Sequence, residues 1–131
     1  MIPAIVFPDA SKLVIDALSD VLGVGVSGSV PKPRPTTFVT VIRTGGVKAN
    51  SVTDGAQLTI DSWSDTAPAA MSLAQNVRSV MSDLAGQRLD GVQCYTVTEL
   101  SGPVVLPDPL SNSPRVRQSF TVLLRGTAQT S

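Results

Sequence analysis

Ala56-Gln57-Leu58-Thr59-Ile60-Asp61-Ser62-Trp63 alternates along its length, and Ser64-Asp65-Thr66-Ala67-Pro68 follows directly. A period of two places Leu58 and Ile60 on one face of a strand and Gln57, Thr59, Asp61 and Trp63 on the other. The run Ser64 to Thr66 then offers capping oxygens, and Pro68 falls near the first helical position, where a missing N–H costs nothing. From there Ala70, Leu73, Val77, Val80 and Leu84 recur at three and four, with Met81 on the same stripe, and Gly86 closes the run. The spacing predicts a helix over 67–85. A strand with one apolar face leading into a helix with one apolar stripe is the unit of a sheet covered on one side by helices.

Upstream, Leu13, Val14, Ala17, Leu18, Val21 and Leu22 repeat at the helical period, with Asp9 as N-cap and Gly23 as stop. Residues 24–29 read as a short edge strand weakened by glycine. Pro31, Pro33 and Pro35 impose an extended, stiff connector around Lys32 and Arg34. Phe38-Val39-Thr40-Val41-Ile42-Arg43 reads as a strand, central in the sheet because both its faces are apolar. Residues 44–55 read as a polar, glycine-punctuated loop. Downstream, residues 92–100 and 115–125 read as strands, the latter with Val116, Phe120, Val122 and Leu124 on one face. Residues 101–114 read as a second long loop with four prolines, and residues 126–131 as a polar tail that frays. The order predicts one α+β domain over 1–131: a mostly antiparallel sheet of four to five strands with two helices packed on one face.

Composition narrows the function. The chain has 131 residues, long enough to bury roughly two thirds of its unfolded surface without disulfide or metal staples. Lys plus Arg is 10 and Asp plus Glu is 10, so the net charge is zero. A nucleic-acid binder usually carries a basic excess, and a near-zero charge favours self-association. Only 15% of residues are charged, leaving uncharged surface of the kind that copies or partners cover. There is no histidine, which removes the Ser-His-Asp and Cys-His arrangements and histidine metal sites. One cysteine, Cys94, rules out an internal disulfide. No apolar run approaches the ~20 residues of a membrane span. The first residues carry no basic signal-peptide region, so the default expectation is the cytoplasm. The composition points away from an enzyme and to no cofactor.

Gly23, Gly25 and Gly28 match the G-x-G-x-x-G spacing, but a helix precedes them and prolines follow, the reverse of a dinucleotide site. Cys94 lies mid-strand with no histidine to activate it and reads as a buried structural thiol. Asp61 and Asp65 flank Trp63, yet one sits in a strand and the other where a cap belongs. Asp16 and Asp20 share the polar face of the first helix and read as solvated. Trp63, the single tryptophan, fits an interface anchor or a core residue equally. The basic residues Arg43, Lys48, Arg115 and Arg117 stand at strand ends and in the adjoining loop. As a group they are the best interaction candidate.

Four blocks carry a resemblance. They are Ile2-Pro3-Ala4-Ile5-Val6-Phe7-Pro8-Asp9; Pro31-Lys32-Pro33-Arg34-Pro35 with Phe38-Val39 and Ile42-Arg43-Thr44-Gly45-Gly46; Asp54-Gly55-Ala56-Gln57-Leu58-Thr59-Ile60 with Trp63-Ser64-Asp65; and Gly102-Pro103, Leu106-Pro107-Asp108-Pro109, Pro114-Arg115 and Phe120 to Thr127. In their order and spacing they resemble tail terminator proteins of long-tailed, siphovirus-type phages that infect actinobacteria. The resemblance spans nearly the whole chain and carries no catalytic signature.

The resemblance implies an α+β fold and a structural role in the virion. Such proteins cap the head-proximal end of the tail tube, stop addition of tube protein and present a surface for head joining, as a hexameric ring. The implied partners are other copies, the tube protein and a head-completion protein, with DNA passing through the lumen without sequence-specific binding. A closed ring uses heterologous contacts. Residues 44–55 and 101–114 are expected to order on assembly, with Arg43, Lys48, Asp54, Trp63, Arg115 and Arg117 as candidate subunit or tube contacts. The alternatives are another neck or head-closure connector, or a small ligand-binding module using the uncovered sheet face.

Overall fold

The computed structural model describes residues 4–129. Eight strands and two helices follow in the order β1 (Ile5–Val6), α1 (Ala10–Leu22), β2 (Gly25–Ser27), β3 (Phe38–Asn50), β4 (Thr53–Trp63), α2 (Ala67–Asp83), β5 (Arg88–Leu89), β6 (Val92–Val105), β7 (Arg115–Arg125) and β8 (Thr127–Ala128). The main sheet has six strands in the order β2-β3-β4-β7-β6-β5, larger than the four to five expected. β2 is the short edge strand read over residues 24–29, and the extra member is β5, two residues long and too short to show a period. β2 runs parallel to β3, and every other pairing is antiparallel.

Both helices start where capping chemistry allows. The Asp9 carboxylate accepts the Lys12 N–H at 3.2 Å, and Gly23 ends α1 with φ of 69°. The Thr66 hydroxyl accepts the Ala69 N–H at 3.2 Å, with Pro68 in the first turn. Asp65 therefore does not cap α2. It accepts a hydrogen bond from the Ser64 hydroxyl instead. Leu13, Val14 and Leu18 of α1 and Leu73, Val77 and Met81 of α2 meet Val39, Val41, Leu58, Ile60, Phe120, Val122 and Leu124 in one core. The two helices thus share one face of the sheet, as the two apolar stripes require. Gln118 lies fully buried on that face and donates to the Ala74 carbonyl at 2.9 Å, fastening α2 to β7.

The two long loops read from the sequence are largely strand. Residues 44–50 continue β3 and residues 53–55 begin β4, joined by a turn at Ser51–Val52. The glycines that suggested a loop make a bulge: register shifts between Arg43 and Gly45, and Gly45 and Gly46 hold φ of 124° and 96°. A Cβ on Gly46 would stand 2.0 Å from the Gly55 carbonyl oxygen, so only glycine lets the strands close here. The polarity of residues 44–50 reflects an exposed edge rather than absence of strand. Likewise β6 runs on to Val105 through register shifts around Gly102-Pro103. Proline is tolerated because the outer side of β6 has no ladder there. A loop remains only over residues 106–114.

β3 is not central. Its outer neighbour β2 covers only Phe38 to Thr40, and its buried second face there comes from Trp63 and the proline-rich connector. At the C-terminus, Thr127–Ala128 pair with Ile5–Val6 rather than forming a free tail, and Gly126 packs under Ile5 and Phe7. Residues 130 and 131 of the expected tail lie outside the described residues.

Candidate interaction surface

The face of the sheet away from the helices holds the densest polar cluster. The antiparallel register brings Phe38, Trp63 and Arg115 into one row across β3, β4 and β7, and Thr40, Asp61 and Arg117 into the next. Phe38 and Trp63 stack with ring centroids 5.2 Å apart. The Arg34 guanidinium lies 4.7 Å from the Trp63 ring centre and that of Arg115 lies 5.3 Å from it. Both are within the range of cation–π attraction. The Trp63 indole N–H donates to the Thr40 hydroxyl at 3.2 Å. Trp63 is therefore a buried residue with two arginines on it.

Asp61 holds the next row together. Only 4% of it is exposed, and its two oxygens accept Arg117 Nε and NH2 at 2.9 and 3.0 Å. Arg115 NH1 stands 3.9 Å from the same carboxylate. The hydrogen bond to Asp61 raises the Arg117 pKa above its ordinary value. Asp61 thus has a buried electrostatic task in a strand and no helix or acid–base partner beside it.

The remaining candidates lie elsewhere. Arg43 and Asp54 have the same parity as Leu58, on the helix side of the sheet, where two hydrogen bonds of 2.7 and 3.1 Å join them. That contact raises the Arg43 pKa. Lys48 is exposed on β3 and makes no ion pair among the described residues. The six expected contact residues therefore form two groups and a solitary lysine. Trp63, Arg115 and Arg117 cluster on the open face. Arg43 pairs with Asp54 on the helix side. Asp16 bridges to Lys12 at 2.8 Å, and Asp20 lines a groove of about 660 Å³ between α1 and α2 with Leu13, Val21 and Val80. Cys94 is buried, and burial pushes its thiol pKa up, which keeps it protonated and unreactive.

No local sequence pattern marks Arg34 or Asp61 as part of this cluster. The proline spacing around Arg34 signals a stiff connector, but only the fold shows that it delivers a guanidinium onto Trp63. The Asp61–Arg117 pair depends on β4–β7 register, which no local pattern states.

A family model described as phage tail termination protein matches residues 6–131. The chain belongs to that family. No curated protein matches it. Among solved structures, a chain from the virion of a native gene transfer agent particle is similar at 21% sequence identity and a TM-score of 0.68, covering 88% of this chain and 94% of that one. That likeness extends over nearly all of both chains and corroborates the fold of this family member: two helices on one side of a curled, mixed sheet. The family match accords with the tail-terminator part of the sequence resemblance.

Proposed function

We propose that the protein caps the head-proximal end of a phage tail tube as a hexameric ring, halts addition of tube protein and offers the surface for head joining. The observation that carries this reading is the family match over residues 6–131. The phage is of the long-tailed, siphovirus type infecting actinobacteria. The ring assembles in the host cytoplasm and becomes part of the virion neck, a placement in keeping with the virion origin of the similar structure. DNA crosses the lumen without sequence-specific contacts, in keeping with the zero net charge.

The role is structural rather than enzymatic. Asp61 and Asp54, buried among the described residues, are each held by an arginine of the same chain, an arrangement that braces the sheet. Light scattering across a concentration series tests the ring, with a species of six times 13.6 kDa expected. Adding the protein to polymerising tube protein of the same phage tests the cap, with shorter tubes expected. A monomer that leaves tube length unchanged overturns the proposal.

A further inference from the structure

The sheet ends on two long strands that overrun their outer neighbours. β5 pairs with β6 only at Val92–Gln93, with Cys94 hydrogen-bonded to the preceding loop, so no strand among the described residues pairs with the outer side of β6 from Tyr95 to Val105. The pairing of β2 ends at Thr40, so none among the described residues pairs with the outer side of β3 from Ile42 to Asn50. Such edges present unpaired N–H and C=O groups that template another strand. Lys48 and Pro103, residues that blunt edges, sit toward the far ends of these stretches. Both stretches expose apolar side chains: Val47 is 80% exposed, and Leu100 and Val104 are each 50% exposed.

We propose that β6 of one copy pairs antiparallel with β3 of the next, so that the sheet runs unbroken from copy to copy around the ring. Strand direction favours this junction. β3, β4, β7 and β6 are antiparallel to each neighbour in turn, so the first and fourth run in opposite directions. A copy rotated about an axis along the strands therefore brings its β3 antiparallel to the preceding β6, and rotation can close the ring. Charge opposes none of this. Arg43 is neutralised by Asp54 and Glu99 by Arg78 within the chain, which leaves Lys48 as the charge on these edges without an ion pair among the described residues. Joining β3 to β3 would bring two such lysines to one seam, whereas β6 to β3 brings one. The junction leaves both helices on one side of the continuous sheet and the face bearing Trp63, Arg115 and Arg117 on the other.

This inference rests on the ring reading, and disulfide trapping separates the two. In a Cys94→Ala background, Ile42→Cys, Thr44→Cys and Val47→Cys are each combined with Thr96→Cys, Thr98→Cys or Leu100→Cys in one chain. Circular dichroism confirms the fold of each variant. Within a chain the two edges lie three strand spacings apart, about 14 Å, beyond disulfide reach. On oxidation at least one double variant should give a ladder of covalent species up to the hexamer on non-reducing gels, and single variants should not. Efficient covalent dimers from Thr98→Cys alone would show β6 meeting β6 and overturn the pairing. A ring by light scattering with no ladder from any combination overturns the pairing and leaves the ring. A monomer with no ladder overturns both.

Discussion

Asp61 and Arg117 face each other directly across β4 and β7, and both guanidinium–carboxylate hydrogen bonds are near 3 Å, at 2.9 and 3.0 Å. The carboxylate is buried, while Arg117 reaches partly into solvent. A bidentate pair of this kind fixes orientation as well as charge. It locks the register of the two central strands at the end of the sheet that carries Trp63.

Replacing Asp61 with Asn keeps the volume and removes the charge, leaving Arg115 and Arg117 without their carboxylate. The expected loss is about 1–3 kcal/mol, the range for a hydrogen bond to a charged group with one partner half in water. A thermal melt at neutral pH should fall by several degrees. An unchanged melting temperature would show that the pair adds nothing to stability.

Arg34 covers the indole from the connector side. Because Trp63 is the only tryptophan, intrinsic fluorescence reads its surroundings alone. Arg34→Ala should shift the emission to longer wavelength and lower stability by about 0.5–2 kcal/mol, the span of a cation–π contact from exposed to desolvated. Arg34→Lys should restore part of the loss. An emission maximum unaffected by Arg34→Ala would mean that the guanidinium does not shield the ring.

Gly46 and Gly45 form a matched comparison. Both have positive φ, but a Cβ on Gly45 meets nothing within 4 Å, while one on Gly46 meets the Gly55 carbonyl oxygen at 2.0 Å. Gly45→Ala should cost about 1 kcal/mol of backbone strain. Gly46→Ala should cost distinctly more and loosen the β3–β4 hairpin, read as faster amide exchange over residues 43–57. Equal effects would show that the close approach is not what demands glycine.

The Asp9 cap makes α1 sensitive to acid. Its pKa is lowered chiefly by the Lys12 backbone N–H and next by the Ser11 hydroxyl. A carboxyl with a depressed folded-state pKa adds stability that is full above its unfolded value, near 3.9, and is lost as pH falls through the folded value. Asp9→Ala should therefore destabilise by ~1 kcal/mol at pH 7. The gap from wild type should close below pH 4. A gap that persists at pH 2 would place the effect in packing and not in the charged cap.

Both helices were legible because a single apolar stripe at a period of 3.6 is a local pattern, and because Asp9, Thr66 and Pro68 act within one turn of chain. The β4 and β7 cores were legible for the same reason: Leu58, Ile60, Val116, Phe120, Val122 and Leu124 alternate. So was the absence of histidine and of a second cysteine, which narrowed the chemistry before any fold was known. What only the tertiary structure decided lies between segments distant in the chain. Gly45 and Gly46 look like loop until β4 lies beside them and turns them into a bulge. Asp61 looks like an isolated acid until strand register sets Arg117 opposite. Thr127 and Ala128 look like a tail until Ile5 and Val6 arrive from the other terminus. Periodicity records which way a side chain points along its own element. Which element it then meets depends on register and strand order, fixed when the whole core closes.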